Sequence, residues 1–296
     1  MSRFRLYPTP EQAVAMEAHC GHARFVWNLC VEQQSHWSRY RGPAPNHAER
    51  NRQLTEARAA FDWLREGSVN VQQQALRDFD QAMRNFFGGI HRRPDFRKKG
   101  RSEGFRVVGR DAKVGKLNRK WSQCWVPKLG WVKFRRTRDL PDFKSYRVTR
   151  DRSGRWHVAF AAIPEAINWP GTGEIVGIDR GVVITAALST GEILNCPSLS
   201  VRERAKVRKA QRRAARAPRG SDAKRAEYGK VAKLKAREAD IRKDWVEKTS
   251  TDLARRFDVL RFEKLNIRNM TRSAKGTVDE PGRNVAQKAG LNRAIL

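Results

Sequence analysis

Cysteine is scarce in this chain. Cys20, Cys30, Cys124 and Cys196 are scattered through 296 residues and no two stand in a CxxC pair. That spacing excludes a disulfide framework and a cysteine zinc site. The string His19-Cys20-Gly21-His22 holds potential ligands, but neighbouring residues on a helix point in different directions, so it reads as core. Acids are also few: 31 Asp and Glu face 62 Lys and Arg, for a net charge of +31. An excess that large calls for a polyanionic partner, nucleic acid first and an anionic membrane surface second. No apolar run reaches membrane-spanning length, and Met1-Ser2-Arg3-Phe4-Arg5-Leu6 has no apolar h-region. The expectation is a cytoplasmic protein on nucleic acid, with no membrane partner. Nine Trp and thirteen Phe speak for packed cores rather than a disordered basic tail.

What the chain does contain is organised around residues 175–188, a run of β-branched and small residues from Ile175 to Leu188 with Asp179 in its middle. Continuous apolar runs suit a strand covered on both faces. An ionised Asp there needs a partner, either a metal ion or a buried Arg or Lys. Gly181 leaves room for another backbone or a ligand. Ser189-Thr190-Gly191-Glu192 reads as a hairpin turn.

A second apolar strand, residues 259–267, carries Glu263. Two parallel neighbouring strands with one carboxylate each can hold divalent cations of the kind that cut phosphodiesters. Oxygen ligands suit the hard cations Mg²⁺ and Mn²⁺.

The strings GIDRGV, ALSTGE and FEKLNIRNM, joined by a long basic helical segment, resemble the transposon-encoded OrfB/TnpB family. So do RLYPTPEQ, RFVWN, QALRDFDQAMRNFF, PDFRKKGR, KLGWVKFRR and DWVEKTSTDLA, in the family's order across essentially the whole chain. That family comprises RNA-guided DNA endonucleases related to type V CRISPR effectors. The resemblance implies that Asp179 and Glu263 are the first and second catalytic, metal-binding acids. It implies Mg²⁺ or Mn²⁺ as cofactor, and guide RNA and target DNA as partners. The family pattern continues to a four-cysteine zinc ribbon and a third catalytic Asp, whereas this sequence stops at Leu296 before either. Lys264 stands where the family usually has Asp. The expectation is a C-terminally truncated copy without the zinc site. Asp279 and Glu280, the remaining acids beyond Glu263, read as loop residues.

Taken in order, residues 3–7 alternate as a strand. Thr9 caps a helix with Pro10 in its first turn and Val14, Ala18, Gly21, Phe25 and Leu29 on one face. A second helix covers about 48–64, and Ser68 caps a third bearing Leu76, Phe79, Met83 and Phe86. In the next stretch Arg92, Arg93, Arg97, Lys98, Lys99 and Arg101 surround Phe96, a mixture suited to a nucleic acid backbone. Residues 105–163 read as short antiparallel strands that favour a small barrel. Between the two acidic strands, residues 201–257 hold 20 Lys/Arg against 8 Asp/Glu, with Arg208, Lys209, Arg212 and Arg213 placed to follow phosphates.

The expected architecture is an α+β multidomain chain. A small β-barrel (1–10 and 91–168) has a helical recognition lobe (11–90) inserted in it. An incomplete ribonuclease H-like (RuvC-like) α/β core follows (173–296), with a long basic helical insert (201–257). The expected function is that of a transposon-associated RNA-guided DNA-binding or endonuclease protein, cleavage-deficient as it stands. The alternative is a non-catalytic RNA/DNA-binding protein, repressor-like or a general basic RNA binder.

Overall fold

The computed structural model of the chain describes residues 2–38, 40, 42–101, 103–161 and 171–295. It divides into two units, Met1–Ala166 and Ile167–Leu296. Residues 164–173, which the sequence suggests as a linker between Pro164 and Gly173, lie mostly outside the described residues.

The first unit begins with strand β1 (Ser2–Tyr7). Helices α1 (Pro10–His36), α2 (His47–Ala60), α3 (Asp62–Glu66) and α4 (Val69–Phe87) follow. Strands β2 (Glu103–Val108), β3 (Val114–Lys116), β4 (Trp121–Val126), β5 (Gly130–Arg135), β6 (Ser145–Arg150) and β7 (Trp156–Phe160) complete it. The helices are thus inserted after the first strand of a seven-stranded sheet ordered β2-β6-β7-β1-β5-β4-β3. β1 is central, pairing antiparallel with β7 through Phe4↔Val158 and with β5 through Leu6↔Phe134. Alternation turns Phe4, Leu6, Val132, Phe134, Val158 and Phe160 into one core. Burying each of the large side chains is worth about 1.5–3 kcal/mol.

The expected barrel does not form, because β2 and β3 remain the two edges of an open sheet. The reason lies at the end of β2. The outward backbone groups of Val108 are taken by a helix side chain: Asn70 Nδ2 donates to Val108 O, and Val108 N–H donates to Asn70 Oδ1. A single 3₁₀ turn at 109–111 then leads the chain away to the three-residue β3.

Helix α1 starts as its sequence dictates. Thr9 Oγ1 accepts from Gln12 N–H at 3.2 Å and Gln12 Oε1 accepts from Thr9 N–H at 3.1 Å, a reciprocal cap with Pro10 in the first turn. Its buried face is not the expected one. Val14 is 70% exposed and Phe25 40%, whereas Met16, His19, Cys20, Ala23, Val26, Trp27, Cys30 and Gln34 are buried. Polar groups belong to this face because they find partners in it: His19 Nε2 bonds Pro127 O at 2.9 Å, and Gln34 Oε1 accepts from Arg50. Helix α4 matches its expected stripe, with Leu76, Phe79 and Met83 buried. Phe61 breaks the expected second helix into α2 and α3.

The second unit runs β8 (Ile175–Asp179), β9 (Ala186–Leu188), β10 (Ile193–Leu194), α5 (Val201–Arg216), α6 (Asp222–Arg256), β11 (Val259–Phe262), α7 (Ile267–Met270), α8 (Val285–Ile295). Its sheet order is β10-β9-β8-β11, with β11 parallel to β8 and the other pairings antiparallel. The apolar run at 175–188 is therefore two strands and a turn, not one strand. Its burial alternates: Val176 and Ile178 are buried with Leu253 and Phe257, while Ile175 is 51% exposed. The hairpin at Ser189–Glu192 forms as expected, with Leu188 N–H donating to Glu192 O and Gly191 at φ +87°.

Candidate active site and nucleic acid interface

Asp179 closes β8 and Glu263 follows β11 directly. The parallel register pairs Val176 with Leu260, Gly177 with Arg261 and Ile178 with Phe262. Asp179 and Glu263 each lie one residue beyond the last of these pairs, at the ends of neighbouring strands that run about 4.8 Å apart. Both side chains are exposed. Neither makes a hydrogen bond or ion pair with any described residue, so Asp179 is not the strand acid paired with a buried cation.

Beyond Asp179 the chain turns sharply. A Cβ at Gly181 would lie 2.7 Å from Ile184 O. The space that glycine leaves is used by the chain's own backbone. On the other side, Gly177 N–H donates to Ser189 Oγ at 3.0 Å and Ser189 N–H donates to Gly177 O at 2.9 Å, pinning the hairpin beside the acid-bearing strand. Asp258, at the entry to β11, accepts from Thr172 N–H and Gly173 N–H, at 2.6 Å for the latter. Those bonds hold its carboxyl below the usual range and tie the starts of the two parallel strands together.

Two exposed carboxylates offer the oxygen donors that a hard divalent cation prefers. Among the described residues, however, no group of three or more His, Cys, Asp or Glu could hold a metal ion. Asp279 and Glu280 lie in an exposed loop. The His19–Cys20–His22 string belongs to the first unit's core: burial lowers the basicity of both imidazoles and pushes the Cys20 thiol up to about 12.

The basic residues singled out from the sequence divide into two sorts. Arg93 and Arg97 anchor their own loop. Arg93 donates to Gln34 O at 3.0 Å, and the Arg97 guanidinium lies 3.5 Å from the Trp27 ring centre. Arg97 N–H donates to Asn28 Oδ1 while Asn28 Nδ2 returns a bond to Arg97 O. Burial brings the Arg97 guanidinium down to about 10, still charged at neutral pH. Arg92, Lys98, Lys99 and Arg101 stay exposed with no side-chain partner among the described residues. On α5, Val207, Ala210 and Ala214 are buried, so Arg208, Lys209 and Arg212 point to solvent; Arg213 stands 3.9 Å from Glu227.

A larger basic surface was not visible in any one stretch. A cleft of about 1040 Å³ in the first unit gathers Arg77 and Arg84 from α4, Arg92 and Arg97 from the loop, Arg106 from β2 and Arg147 from β6, with Trp27 and Trp37 in its walls. Asp78 bridges Arg147 at 2.5 Å and Arg106 at 3.8 Å. Asp80 binds Arg50 at 2.7 Å and also contacts His47. Arg77 and Arg92 are left without partners among the described residues. Guanidinium groups interleaved with indole rings form a surface for phosphates and bases.

No helix of the described residues is long and apolar enough to cross a membrane. Residues 146–274 match the OrfB family of IS605-type elements, described as "Probable transposase". Residues 2–42 match the helix-turn-helix domain of the same family, a span that here contains β1 and the single long helix α1. The chain is 29% identical over 307 residues to the "Putative RNA-guided DNA endonuclease InsQ" of Escherichia coli (strain K12), covering 99% of this chain and 73% of that protein. It is 31% identical over 279 residues to a "Putative RNA-guided DNA endonuclease" of Streptomyces pristinaespiralis, covering 92% of this chain and 68% of that one.

Proposed function

Since the chain belongs to the OrfB/TnpB family, we propose that residues 1–296 bind a structured guide RNA and its target DNA and supply two carboxylates of a metal-dependent nuclease site. The observation that supports this reading is the parallel pairing of β8, which ends at Asp179, with β11, which leads directly into Glu263, in a chain of net charge +31. The first unit's arginine cleft and the exposed basic residues Lys98, Lys99, Arg208, Lys209 and Arg212 are the RNA- and DNA-binding surface. Asp179 and Glu263 would hold Mg²⁺ or Mn²⁺, whose chemistry when bound is to activate water and stabilise the leaving oxygen of a phosphodiester. Two monodentate acids alone position such a site poorly, and a misplacement of about 1 Å costs roughly a hundredfold in rate. These residues by themselves therefore bind nucleic acid and cut it negligibly.

The test is purification of the 296-residue chain co-expressed with transcripts of the DNA flanking its gene, followed by sequencing of the bound RNA. One discrete structured RNA is expected, retained by the Asp179→Ala variant. Fusion to the C-terminal segment of a full-length relative should add Mg²⁺-dependent cutting that requires both Asp179 and Glu263. Recovery of bulk cellular RNA without preference, or cutting by the fusion that survives Asp179→Ala, would overturn the reading.

A further inference from the structure

The second unit contains a cavity of about 550 Å³, a size that takes small organic ligands. Its walls are apolar and aromatic, with Trp245 and Leu253 from α6, Phe262 from β11 and Met270 from α7. Three arginines line it from three separate elements: Arg180 in the turn after β8, Arg242 on α6 and Arg293 on α8. None of the three has a hydrogen bond or ion pair to any described residue.

Several basic side chains elsewhere along α6 are matched by helix acids: Lys230 with Glu227, Lys235 with Glu238, Lys243 with Glu247, Lys248 with Asp244 and Arg256 with Asp252. Glu238 also lines the cavity, but Lys235 holds it at 2.6 Å. Three like charges around one apolar hollow repel each other unless an anion sits among them. The combination selects a ligand with a flat apolar part and a multiply hydrogen-bonding anion, which is the chemistry of a nucleotide.

The position matters as much as the composition. Ile178 and Phe262 wall the cavity and immediately precede Asp179 and Glu263. Asp179 alternates with Ile178 on β8 and so turns away from the cavity, which lies at the strand ends next to the two acids.

We propose that this cavity receives one unstacked nucleotide of a single-stranded nucleic acid, with its base against Trp245 and Phe262 and its flanking phosphates on Arg180, Arg242 and Arg293. The assignment rests on the nuclease reading for its purpose but not for its test, which uses no metal and measures no cutting.

The probe is a short oligothymidylate carrying one 5-iodouracil, bound by the full chain in EDTA. Photocross-linking should attach it to Trp245 or Met270, and attachment confined to residues outside the cavity overturns the proposal. The double variant Arg242→Ala/Arg293→Ala removes exposed helix side chains. It should weaken binding at least about tenfold and lower the slope of log affinity against log salt by about 1.4, the value for two lost phosphate contacts on a single strand. Lys243→Ala/Lys248→Ala removes two charges from the same helix outside the cavity and should leave that slope unchanged; an equal fall would show a general charge effect and overturn the site. An abasic oligomer should bind more weakly than the thymidylate to the native chain and equally to Trp245→Ala. Thymidine monophosphate competing as well as the oligomer would assign the cavity to free nucleotides instead, and preferential binding of anionic vesicles would assign it to a membrane. Fusion protein that fails to cut while these results hold would remove the nuclease reading and leave the nucleotide site standing.

Discussion

Arg106 and Arg147 stand directly opposite one another on β2 and β6, and Asp78 of α4 bridges the two. Like charges facing each other across a strand pair are destabilising unless an acid lies between them. Asp78 is thus the carboxylate that lets these two guanidinium groups share one strand pair.

Asp78→Asn should therefore cost about 1–3 kcal/mol of stability in the first unit, measured by urea unfolding. A bound polyanion should repair the defect. RNA ought to raise the melting temperature of the variant more than that of the native chain. Equal stabilisation of both would mean that the arginine pair does not face the nucleic acid.

Replacing Arg97 by Lys tests the loop anchor. The guanidinium stacked at 3.5 Å on Trp27 is exchanged for a compact ammonium that cannot lie flat on an indole. The expected loss is about 1 kcal/mol. Hydrogen exchange should become faster across residues 91–101 and stay unchanged in the core strands.

Acid should destabilise the first unit through His157 and His19. His157 is brought down to about 4, first by burial and then by Arg3, with Arg5 and Arg155 adding to the effect against Asp151. Arg3 donates to His157 Nδ1 at 2.8 Å. A guanidinium can only donate, so the bond requires an unprotonated nitrogen. The unfolded chain takes up the proton near pH 6.5 and the folded one only near 4. Stability is therefore full above about 6.5 and is lost as pH falls toward 4. Urea midpoints taken from pH 7 to pH 4 should fall accordingly, and His157→Gln should flatten much of the decline. His19, whose basicity is lowered chiefly by burial, accounts for part of the remainder.

Gly181→Ala should disturb the turn beside Asp179. The added methyl meets Ile184 O at 2.7 Å, and backbone cannot swing aside as a side chain would. A loss of about 1–3 kcal/mol is expected in the second unit. A melting curve unchanged by the substitution would show that Ile184 can move away from residue 181.

Much of this could be read from local chemistry. Thr9 and Ser68 announced their helices because a side-chain oxygen before an apolar stripe has one obvious use. The hairpin turn at Ser189–Glu192 was equally plain. The parallel pairing of β8 with β11 was legible in the two apolar stretches that carry Asp179 and Glu263. What escaped depends on residues far apart in the chain. The buried face of α1 was misassigned because His19 and Gln34 are polar, and only Pro127 and Arg50 explain why they are inside. The open sheet turns on Asn70 meeting Val108. The arginine cleft draws one or two residues each from α4, the loop after it, β2 and β6, none of which stands out among 62 basic positions.

The central place of β1 carries a consequence for how the first unit comes into being. Leu6 pairs with Phe134 and Phe4 with Val158, so the strand's two neighbours are made long after it. During synthesis α1 and α4 can form and associate early, because helices need only local contacts. The strand that will join the two halves of the sheet must meanwhile wait unpaired, with Phe4 and Leu6 uncovered. Assembly of this unit is thus gated by its last strand. A ribosome-bound nascent chain stalled before residue 156 should remain protease-sensitive at residues 2–7, and one extended well past residue 160 should not.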